Sequence, residues 1–428
     1  MYDKAIETLD LEQLRNLQNE RLSLLLNRIY EKVPFYQKQF DQAGIHPQDI
    51  KGVQDLHYLP FTRKSDLRDH YPYGLFASPM ESIRRIHASS GTTGKPTVVG
   101  YTANDLAIFD EVVARSLVCA GAKPGMKLHN AYGYGLFTGG LGMHGGATLL
   151  GMAVIPVSGG MTERQLTILQ DFKPEVICCT PSYAQTLAAE CQKRGIDTRA
   201  LAVKYAVLGA EPWTDSIRKQ VEEGLQVDAT NIYGLSEIIG PGVSQEDVEE
   251  KGTGSYIWED HFYPEVVDRD TGEPLPYGEE GVLVFTTLTK EAFPILRYWT
   301  NDICSIYYDA HAKRTHIKMS AIKGRADDML IIRGVNLFHT QVEEVIEKCD
   351  FLVPNYQLIV SKKEAMDRVV VRVEVAEGAD ASREEFKEIL AQKIKATIGL
   401  SMEIQLEAPG MVPKSQGGKL KRIVDERK

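Results

Sequence analysis

Hydrophobic residues along this chain recur with two different periods. Leucines and isoleucines from position 9 to position 29 follow a near-helical spacing, which predicts an amphipathic helix over 10–32. Further along, short apolar runs alternate with helical patterns, and this alternation predicts a parallel sheet flanked by helices. The expected helices cover 104–119, 182–194 and 214–223, and the expected strands cover 176–179, 205–208 and 229–233.

The loops after two of these strands carry glycine and polar residues. One reads Gly209-Ala210-Glu211-Pro212-Trp213, and the other reads Gly234-Leu235-Ser236-Glu237. Parallel strands end at the same edge of a sheet, and ligands of α/β domains bind at that edge. Both loops are therefore expected on one ligand-binding rim.

The pattern changes towards the carboxyl terminus. Residues 264–320 alternate turns with short strands, which predicts a β-rich subdomain. A polar segment at 323–328 precedes strands and helices that form a self-contained α+β lobe. We therefore expect a large N-terminal α/β domain over 1–325 and a small mobile lobe over 326–428.

Composition narrows the class of protein. The 428 residues are 43% hydrophobic and 25% charged, as in ordinary globular proteins, and the net charge of −10 argues against general nucleic-acid binding. No signal peptide and no apolar run long enough to span a membrane are visible. The six cysteines show no C-x-x-C spacing. These features predict a cytoplasmic protein with reduced thiols, no disulfide framework and no zinc site.

Candidate chemistry begins with a dense group of donors at 89–95, Ser-Ser-Gly-Thr-Thr-Gly-Lys. Glycines let backbone N–H groups approach a phosphate, hydroxyls add donors, and the lysine adds charge. A Walker loop is excluded because position 89 is serine and Pro96 follows the lysine. Since Val98-Val99 reads as a strand, the segment is either a loop that folds over a polyphosphate or an ordinary turn.

Glycines and aromatic residues also alternate over 132–146. Within this stretch, Gly140, Gly142 and Gly145 match the spacing of a dinucleotide fingerprint, which requires a preceding strand and a following helix. Residues 147–157 read instead as a strand. A dinucleotide-binding oxidoreductase is therefore kept as an alternative.

Several short motifs occur in one order, and jointly they are specific. The motifs are the 89–95 loop, Tyr-Gly-Leu-Ser-Glu at 233–237, Trp-Glu-Asp-His-Phe-Tyr-Pro-Glu at 258–265, Phe-Thr-Thr-Leu-Thr-Lys-Glu-Ala at 285–292, Tyr-Trp-Thr-Asn-Asp at 298–302 and Gly-Arg-Ala-Asp-Asp at 324–328. With a final Gly-Lys, the chain resembles the adenylate-forming superfamily of acyl-CoA synthetases over essentially its whole length. More narrowly, it looks like a phenylacetate–CoA ligase.

The resemblance implies an ATP- and Mg²⁺-dependent ligase. A carboxylate attacks the α-phosphate of ATP to give an acyl-adenylate and pyrophosphate, and the thiol of coenzyme A then displaces AMP. Positioned cations and N–H donors stabilise the negative charge that accumulates on the phosphates. The implied fold is a large domain followed by a lobe that rotates between the two half-reactions.

The resemblance also implies roles for residues at the nucleotide. Asp302 would accept the ribose hydroxyls, although Asn301 stands where the family usually has glycine or arginine. Ser236 would donate to the α-phosphate, and Glu237 would ligate Mg²⁺. The β- and γ-phosphates would be held by Ser89, Ser90, Gly91, Thr92, Thr93, Gly94 and Lys95, and the base and sugar by Tyr233, Gly234, Ala210, Glu211, Pro212 and Arg325.

The basic segment 413–422 would be read by itself as a solvated tail. By resemblance, Lys419 bridges the carboxylate and the α-phosphate, since the family lysine follows Gly-Gly and the neighbouring Lys414 and Lys421 do not. Asp327 would be the hinge. Rotation would withdraw Lys419 and bring Arg333 and Gly334 to the coenzyme A path.

An apolar slot near the same rim would bind the acid. The candidate lining residues are Tyr134, Phe137, Gly139, Gly140, Gly209 and Pro241. Aromatic walls suit an aryl acid, and the absence of lysine and arginine from 130–146 favours a monoacid.

The expected function is formation of phenylacetyl-CoA, with a role in aromatic catabolism. Indoleacetate, hydroxyphenylacetate or benzoate are alternative acids, and loading of a carrier protein is a further alternative. Low pyrophosphate would favour the thioester, whereas abundant thioester would drive ATP formation. A homodimer is expected from the resemblance and the long N-terminal helix, with no nucleic acid or membrane partner.

Overall fold

The structure, a computed structural model, describes residues 1–89, 96–326, 330–332, 335–363, 366–413 and 422–427. It divides into two compact units, Met1–Ala321 and Ile322–Lys428. Each unit is described by itself below. No helix among the described residues is long and apolar enough to cross a membrane.

The first unit combines helices and strands. Its helices are α1 (Lys4–Glu7), α2 (Leu11–Lys32), α3 (Pro34–Ala43), α4 (Lys64–Asp69), α5 (Ala103–Cys119), α6 (Thr138–Leu149), α7 (Thr162–Phe172), α8 (Pro181–Lys193) and α9 (Asp215–Leu225). Its strands are β1 (Arg85–Ser89), β2 (Thr97–Tyr101), β3 (Lys127–Asn130), β4 (Ala153–Ile155), β5 (Val176–Cys179), β6 (Tyr205–Gly209), β7 (Asp228–Leu235), β8 (Gly240–Glu246), β9 (Ser255–Ile257), β10 (Phe262–Val267), β11 (Gly281–Thr287), β12 (Tyr298–Cys304), β13 (Ile306–Tyr307) and β14 (Lys318–Met319).

The main sheet confirms the predicted α/β architecture. Its strand order is β13-β14-β9-β8-β7-β6-β5-β3-β4. The five strands from β4 to β7 are parallel, and β8, β9, β14 and β13 continue the sheet antiparallel. Strands β10, β11 and β12 pair antiparallel, and β1 and β2 form a hairpin. The parallel order brings the carboxyl ends of β6 and β7 side by side.

The glycine-rich stretch predicted as a possible dinucleotide loop is helix α6. A Cβ atom on Gly142 would overlap Phe109 of α5, and one on Gly146 would overlap Val113. These glycines let two helices approach closely, and they do not form a turn after a strand. The dinucleotide-binding alternative is therefore wrong. The strand predicted at 147–157 is shorter than expected, since the helix continues to Leu149.

The 258–265 motif forms buried contacts that join distant segments. Asp260 accepts a hydrogen bond from Arg115 at 2.8 Å, and the guanidinium of Arg115 lies 5.1 Å from the ring centroid of Trp258. His261 lies 2.8 Å from the hydroxyl of Thr289, just after β11. Asp260 and Arg115 are both only 2% exposed, so removing one partner would leave a buried charge uncompensated. This motif therefore has a structural role in the first unit.

Glu259, in the same motif, is buried and held by four groups. Its carboxylate accepts hydrogen bonds from Tyr308 at 2.9 Å and from the backbone N–H of Ile317 at 2.5 Å, and it faces Gln18 and Arg15 of α2. Burial raises the pKa of Glu259 to about 7, although these donors and Arg15 oppose the shift. Ionisation of this carboxyl group near neutral pH therefore lowers the free energy of unfolding.

A Glu259→Gln variant should change how stability depends on pH. The folded-state pKa lies above the unfolded value of 4.5, so the folded chain binds an extra proton between pH 4.5 and about 7. The parent then loses about 3 kcal/mol of unfolding free energy as pH rises through this window, and the variant lacks this loss. Urea unfolding followed by the fluorescence of Trp213, Trp258 and Trp299, all in the first unit, measures the effect.

The exposed Glu12, changed to Gln, is the matched control and should follow the parent at every pH. Equal pH dependence of the Glu259→Gln variant and the parent would contradict the raised pKa.

The second unit has its own core. Its elements are β15 (Gly324–Arg325), β16 (Leu330–Ile332), β17 (Val335–Leu337), α10 (His339–Glu347), β18 (Leu352–Lys363), β19 (Met366–Val375), α11 (Glu384–Ile398), β20 (Glu403–Glu407) and β21 (Ile423–Asp425). The strand order β20-β19-β18-β21 forms a sheet on which α10 and α11 bury apolar residues such as Val345 and Leu390. This is the α+β pattern expected for the carboxyl-terminal lobe.

Candidate active site

The predicted rim exists at the carboxyl ends of β6 and β7. Gly209 ends β6, and Ala210 follows with a left-handed φ of 71°. A Cβ atom on Gly209 would overlap the backbone carbonyl of Ile232 in β7, so the close approach of the two strands requires glycine. The carboxylate of Glu211 accepts the backbone N–H of Ser182 at 3.3 Å, at the start of α8. Pro212 completes this turn.

Tyr233 and Asp302 are brought together although they lie 69 positions apart. The Tyr233 hydroxyl donates to the Asp302 carboxylate at 2.7 Å, which links β7 to β12. The Tyr233 ring also stacks near Phe285 of β11, with centroids 6.3 Å apart. The ring and the carboxylate thus hold each other in place on one side of the rim.

Asn301, where the chain departs from the family pattern, has a local structural role. Its φ of 67° is left-handed, a conformation that asparagine adopts more readily than most residues. Its side-chain oxygen accepts the indole N–H of Trp299 at 2.9 Å, and the backbone N–H of Asp302 donates to Thr300 at 2.9 Å. The departure therefore leaves β12 continuous, and the Thr300 hydroxyl holds the backbone of Asp302.

Ser236 and Glu237 follow β7 in the turn that leads to β8. The Ser236 hydroxyl lies 3.1 Å from that of Thr138, the first residue of α6. Glu237 is only 6% exposed, yet no described residue donates a hydrogen bond to its carboxylate. A buried carboxylate with free acceptor positions fits a divalent cation that takes its other ligands from phosphate and water. No group of three or more metal-ligating side chains occurs among the described residues.

The phosphate-binding prediction falls largely outside the described residues. Ser89 ends β1, and its hydroxyl is buried without a hydrogen-bond partner in the described chain. The remaining residues predicted for the phosphates, hinge, coenzyme A path and catalytic cation lie outside the described ranges; these are Ser90, Gly91, Thr92, Thr93, Gly94, Lys95, Asp327, Arg333, Gly334 and Lys419. Arg325 is described, in β15 of the second unit.

Comparison with known proteins places this arrangement in a family. The family model described as AMP-binding enzyme matches residues 32–288, and the model for the AMP-binding enzyme C-terminal domain matches 334–427. The chain is 60% identical to the phenylacetate-coenzyme A ligase of Thermus thermophilus, covering 100% of both chains. It belongs to the phenylacetate–CoA ligase family of AMP-binding enzymes.

Further comparisons agree with this family. The phenylacetate-coenzyme A ligase of Escherichia coli is 48% identical over 99% of this chain and 97% of that protein. A crystal structure of 2-hydroxyisobutyryl-CoA ligase in the postadenylation state matches with a TM-score of 0.91 and 25% identity, covering 99% of this chain and 92% of that one. Like other members, this ligase is an adenylate-forming acid–thiol ligase that uses ATP and coenzyme A.

The aromatic residues predicted for the acid slot of this ligase differ in their surroundings. The Tyr134 hydroxyl is 2.8 Å from the Asn130 amide and 3.1 Å from Nδ1 of His144, so its polar end is held by the protein. Phe137 is 53% exposed at the start of α6. Pro241 in β8 pairs with Gly234 of β7.

The two predicted slot glycines of α6 have different reasons to be glycine. A Cβ atom on Gly140 would lie 2.5 Å from the Gly133 carbonyl, so the backbone there leaves no room. A Cβ atom on Gly139 would meet the Tyr132 ring at 3.7 Å, an ordinary contact. Gly140 is therefore required where α6 approaches the backbone of Gly133. At Gly139, a Cβ atom would fit beside Tyr132.

Sequence reasoning missed Asn130, Tyr132 and His144 in this ligase. Asn130 ends β3 and donates to both the Tyr134 hydroxyl and the Gly140 carbonyl, at 2.8 Å each. Because no strand is predicted over 127–130, nothing in the sequence indicates that Asn130 lies at the carboxyl end of a strand. His144 could have been noticed as the one polar ring among the glycines of 138–146.

Proposed function

We propose that this ligase joins phenylacetate to coenzyme A, with ATP converted to AMP and pyrophosphate through phenylacetyl-adenylate. The observation that carries the proposal is the 60% identity over the full length of both chains to a phenylacetate-coenzyme A ligase. The aromatic and glycine residues beside the rim are consistent with an aryl monoacid.

The adenine of ATP would stack on Tyr233, with Ala210, Glu211 and Pro212 along its other side. Asp302 would accept the ribose hydroxyls, since an ionised carboxylate has several acceptor positions. The 2.7 Å bond between Tyr233 and Asp302 supports this assignment because it holds both groups at one edge of the rim. Gly234 keeps the strand beside them close to β8.

Glu237 would ligate Mg²⁺, and Ser236 would donate to the α-phosphate. The bound cation would neutralise charge on the phosphates. The first residues after β1 would enclose the β- and γ-phosphates. The lobe beyond the hinge at Asp327 would supply Lys419 for adenylation, and Arg333 and Gly334 for the coenzyme A path.

The proposal includes three further features of the ligase. The first is the acid slot, formed by Tyr134, Phe137, Gly139, Gly140, Gly209 and Pro241. The second is a homodimer, expected from the family resemblance and the long helix α2. The third is a cytoplasmic location, supported by six buried, unpaired cysteines.

A panel of acids tests the proposed function. AMP release in the presence of ATP, Mg²⁺ and coenzyme A should be fastest with phenylacetate, followed by its ring-hydroxylated form, with indoleacetate and benzoate at least about tenfold slower in kcat/KM. A faster reaction with benzoate or indoleacetate would reassign the acid. Release of AMP only after a carrier protein replaces coenzyme A would reassign the acceptor.

A further inference from the structure

Lys290 belongs to the 285–292 motif, which has no role in the proposed reaction. Its side chain is buried, with 4% exposure, and its ammonium has no hydrogen-bond partner among the described residues. The ammonium lies 4.9 Å from the ring centroid of Tyr101 and 5.2 Å from that of Phe293. Burying an ammonium without hydrogen bonds is costly, so a stable chain retains one only where the charge has a use or a compensating partner.

The backbone around Lys290 is fixed from both sides. The N–H of Leu288 donates to the carbonyl of His261 at 2.8 Å. The N–H groups of Glu291 and Ala292 donate to the carboxylate of Asp105 at 2.7 and 2.9 Å. Lys290 is therefore directed inward by a rigid segment.

Tyr101 contacts both Lys290 and the turn that carries Glu237. The Tyr101 hydroxyl donates to the carbonyl of Ile239 at 2.7 Å, which anchors the turn that carries Glu237. Burial lowers the pKa of Lys290 to about 8, and the carboxylates of Asp105 and Glu237 oppose this shift. Lys290 thus remains mostly charged at neutral pH, and its charge interacts favourably with the Glu237 carboxylate.

The neighbouring His87 does not add a second charge. Its Nδ1 lies 3.0 Å from the carbonyl of Leu136, and its Nε2 has no partner among the described residues. Burial lowers the pKa of His87, the Leu136 carbonyl opposes this shift, and the charges of Arg85 and Lys290 lower the pKa further. The imidazole is therefore neutral at pH 7.

We propose that Lys290 selects what binds at Glu237, disfavouring a bare divalent cation and favouring a cation that arrives with an anionic polyphosphate. An ammonium near the carboxylate repels Mg²⁺ alone, whereas magnesium pyrophosphate and magnesium ATP carry net negative charge and are attracted. Lys290 and Glu237 are both buried, so salt screens the charge of the ammonium only weakly there. The proposal rests on the proposed metal-binding role of Glu237.

Binding measurements on Lys290→Met test the proposal without turnover. Mn²⁺ alone, titrated by electron paramagnetic resonance, should bind several-fold more tightly to the variant than to the parent. Inorganic pyrophosphate with saturating Mg²⁺, titrated by calorimetry, should bind about tenfold more weakly. The melting temperature should rise, because methionine replaces a buried ammonium that has no hydrogen-bond partner in the described part of the chain with an apolar chain of similar length.

Lys318→Met is the matched control. Lys318 is also buried beside a tyrosine ring, 4.8 Å from the Tyr256 centroid, but its ammonium bonds Thr253 at 2.9 Å and Asp309 at 3.0 Å. This variant should melt at a lower temperature and bind both ligands as the parent does.

Two results would overturn the role of Lys290. One is unchanged binding of pyrophosphate to Lys290→Met, and the other is equal weakening of Mn²⁺ and pyrophosphate together with a lower melting temperature. A Glu237→Gln variant distinguishes failure of the Lys290 proposal from failure of the proposed function. If Glu237→Gln binds Mn²⁺ as tightly as the parent, the metal role of Glu237 is wrong, whatever Lys290→Met does.

Discussion

Replacing Lys419 with alanine should abolish acid-dependent exchange between ATP and pyrophosphate, with a loss of about 100- to 1,000-fold. Adenylation brings the carboxylate of the acid against the α-phosphate, and two anions at that distance repel each other unless a cation lies between them. The second half-reaction does not join two anions. Attack of coenzyme A on supplied phenylacetyl-adenylate should therefore proceed in the variant at nearly the parent rate.

The described residues on either side of Lys419 make contacts within the second unit. The backbone N–H of Val412 donates to Glu374 at 2.7 Å, and Arg422 donates to Glu343 at 3.0 Å. Both contacts involve side chains of that unit's own elements. Substitution of Lys419 leaves these contacts unchanged, so the variant is expected to fold.

Lys414 and Lys421 provide matched controls within the same basic segment. Alanine at either position removes an equal charge and should leave exchange within about threefold of the parent, since neither lysine follows Gly-Gly as the family lysine does. Full exchange in Lys419→Ala, or an equal loss in Lys414→Ala, would remove the assigned role. Loss of both half-reactions would indicate a folding defect in place of a catalytic one.

Replacing Asp302 with alanine should raise the KM for ATP in the exchange reaction by roughly 100-fold. Two hydrogen bonds from ribose hydroxyls to a carboxylate are together worth about 3 kcal/mol. The variant also loses the acceptor that holds Tyr233 at 2.7 Å, so the ring beneath adenine becomes less ordered. The KM for phenylacetate should change little, because the acid does not contact Asp302 in the proposed arrangement.

A Tyr233→Phe variant separates loss of the ribose hydrogen bonds from loss of the contact that orders the Tyr233 ring. It keeps the aromatic ring, including its contact with Phe285, and removes only the hydroxyl that donates to Asp302. Its KM for ATP should rise less than about tenfold, the value of one hydrogen bond. An Asp302→Ala variant with the parent KM for ATP, or a larger defect in Tyr233→Phe than in Asp302→Ala, would contradict the proposed nucleotide site.

Much of the fold could be predicted from local pattern. The helices α2, α5, α8 and α9 and the strands β5, β6 and β7 lie within a few residues of their predicted ranges. Each has a continuous apolar period and a recognisable end, such as Thr214, which caps α9. The glycine-rich α6 was missed because glycine has low helix propensity, and only the close approach of α5 explains why a helix forms there.

Some residues of the candidate site could likewise be suggested by the sequence, and others could not. Ser236, Glu237, Tyr233 and Asp302 could be proposed from short motifs through the family resemblance, and the structure brings Tyr233 and Asp302 together. Asn130 could not be named from local pattern, and the sequence shows the ring of His144 but not its contact with Tyr134. The motif that contains Lys290 was visible, but nothing local indicated that its ammonium would be buried with no hydrogen-bond partner among the residues that the structure describes.

The sequence by itself determined the family, the order of the motifs and the alternation of helices and strands, because these depend on residue identity and on contacts between near neighbours. Only the tertiary structure decided that Tyr233 bonds Asp302, that the glycines of α6 serve helix packing, and that Lys290 is buried against Tyr101. Such contacts join residues far apart in the chain. They depend on how whole elements assemble, which no local pattern records.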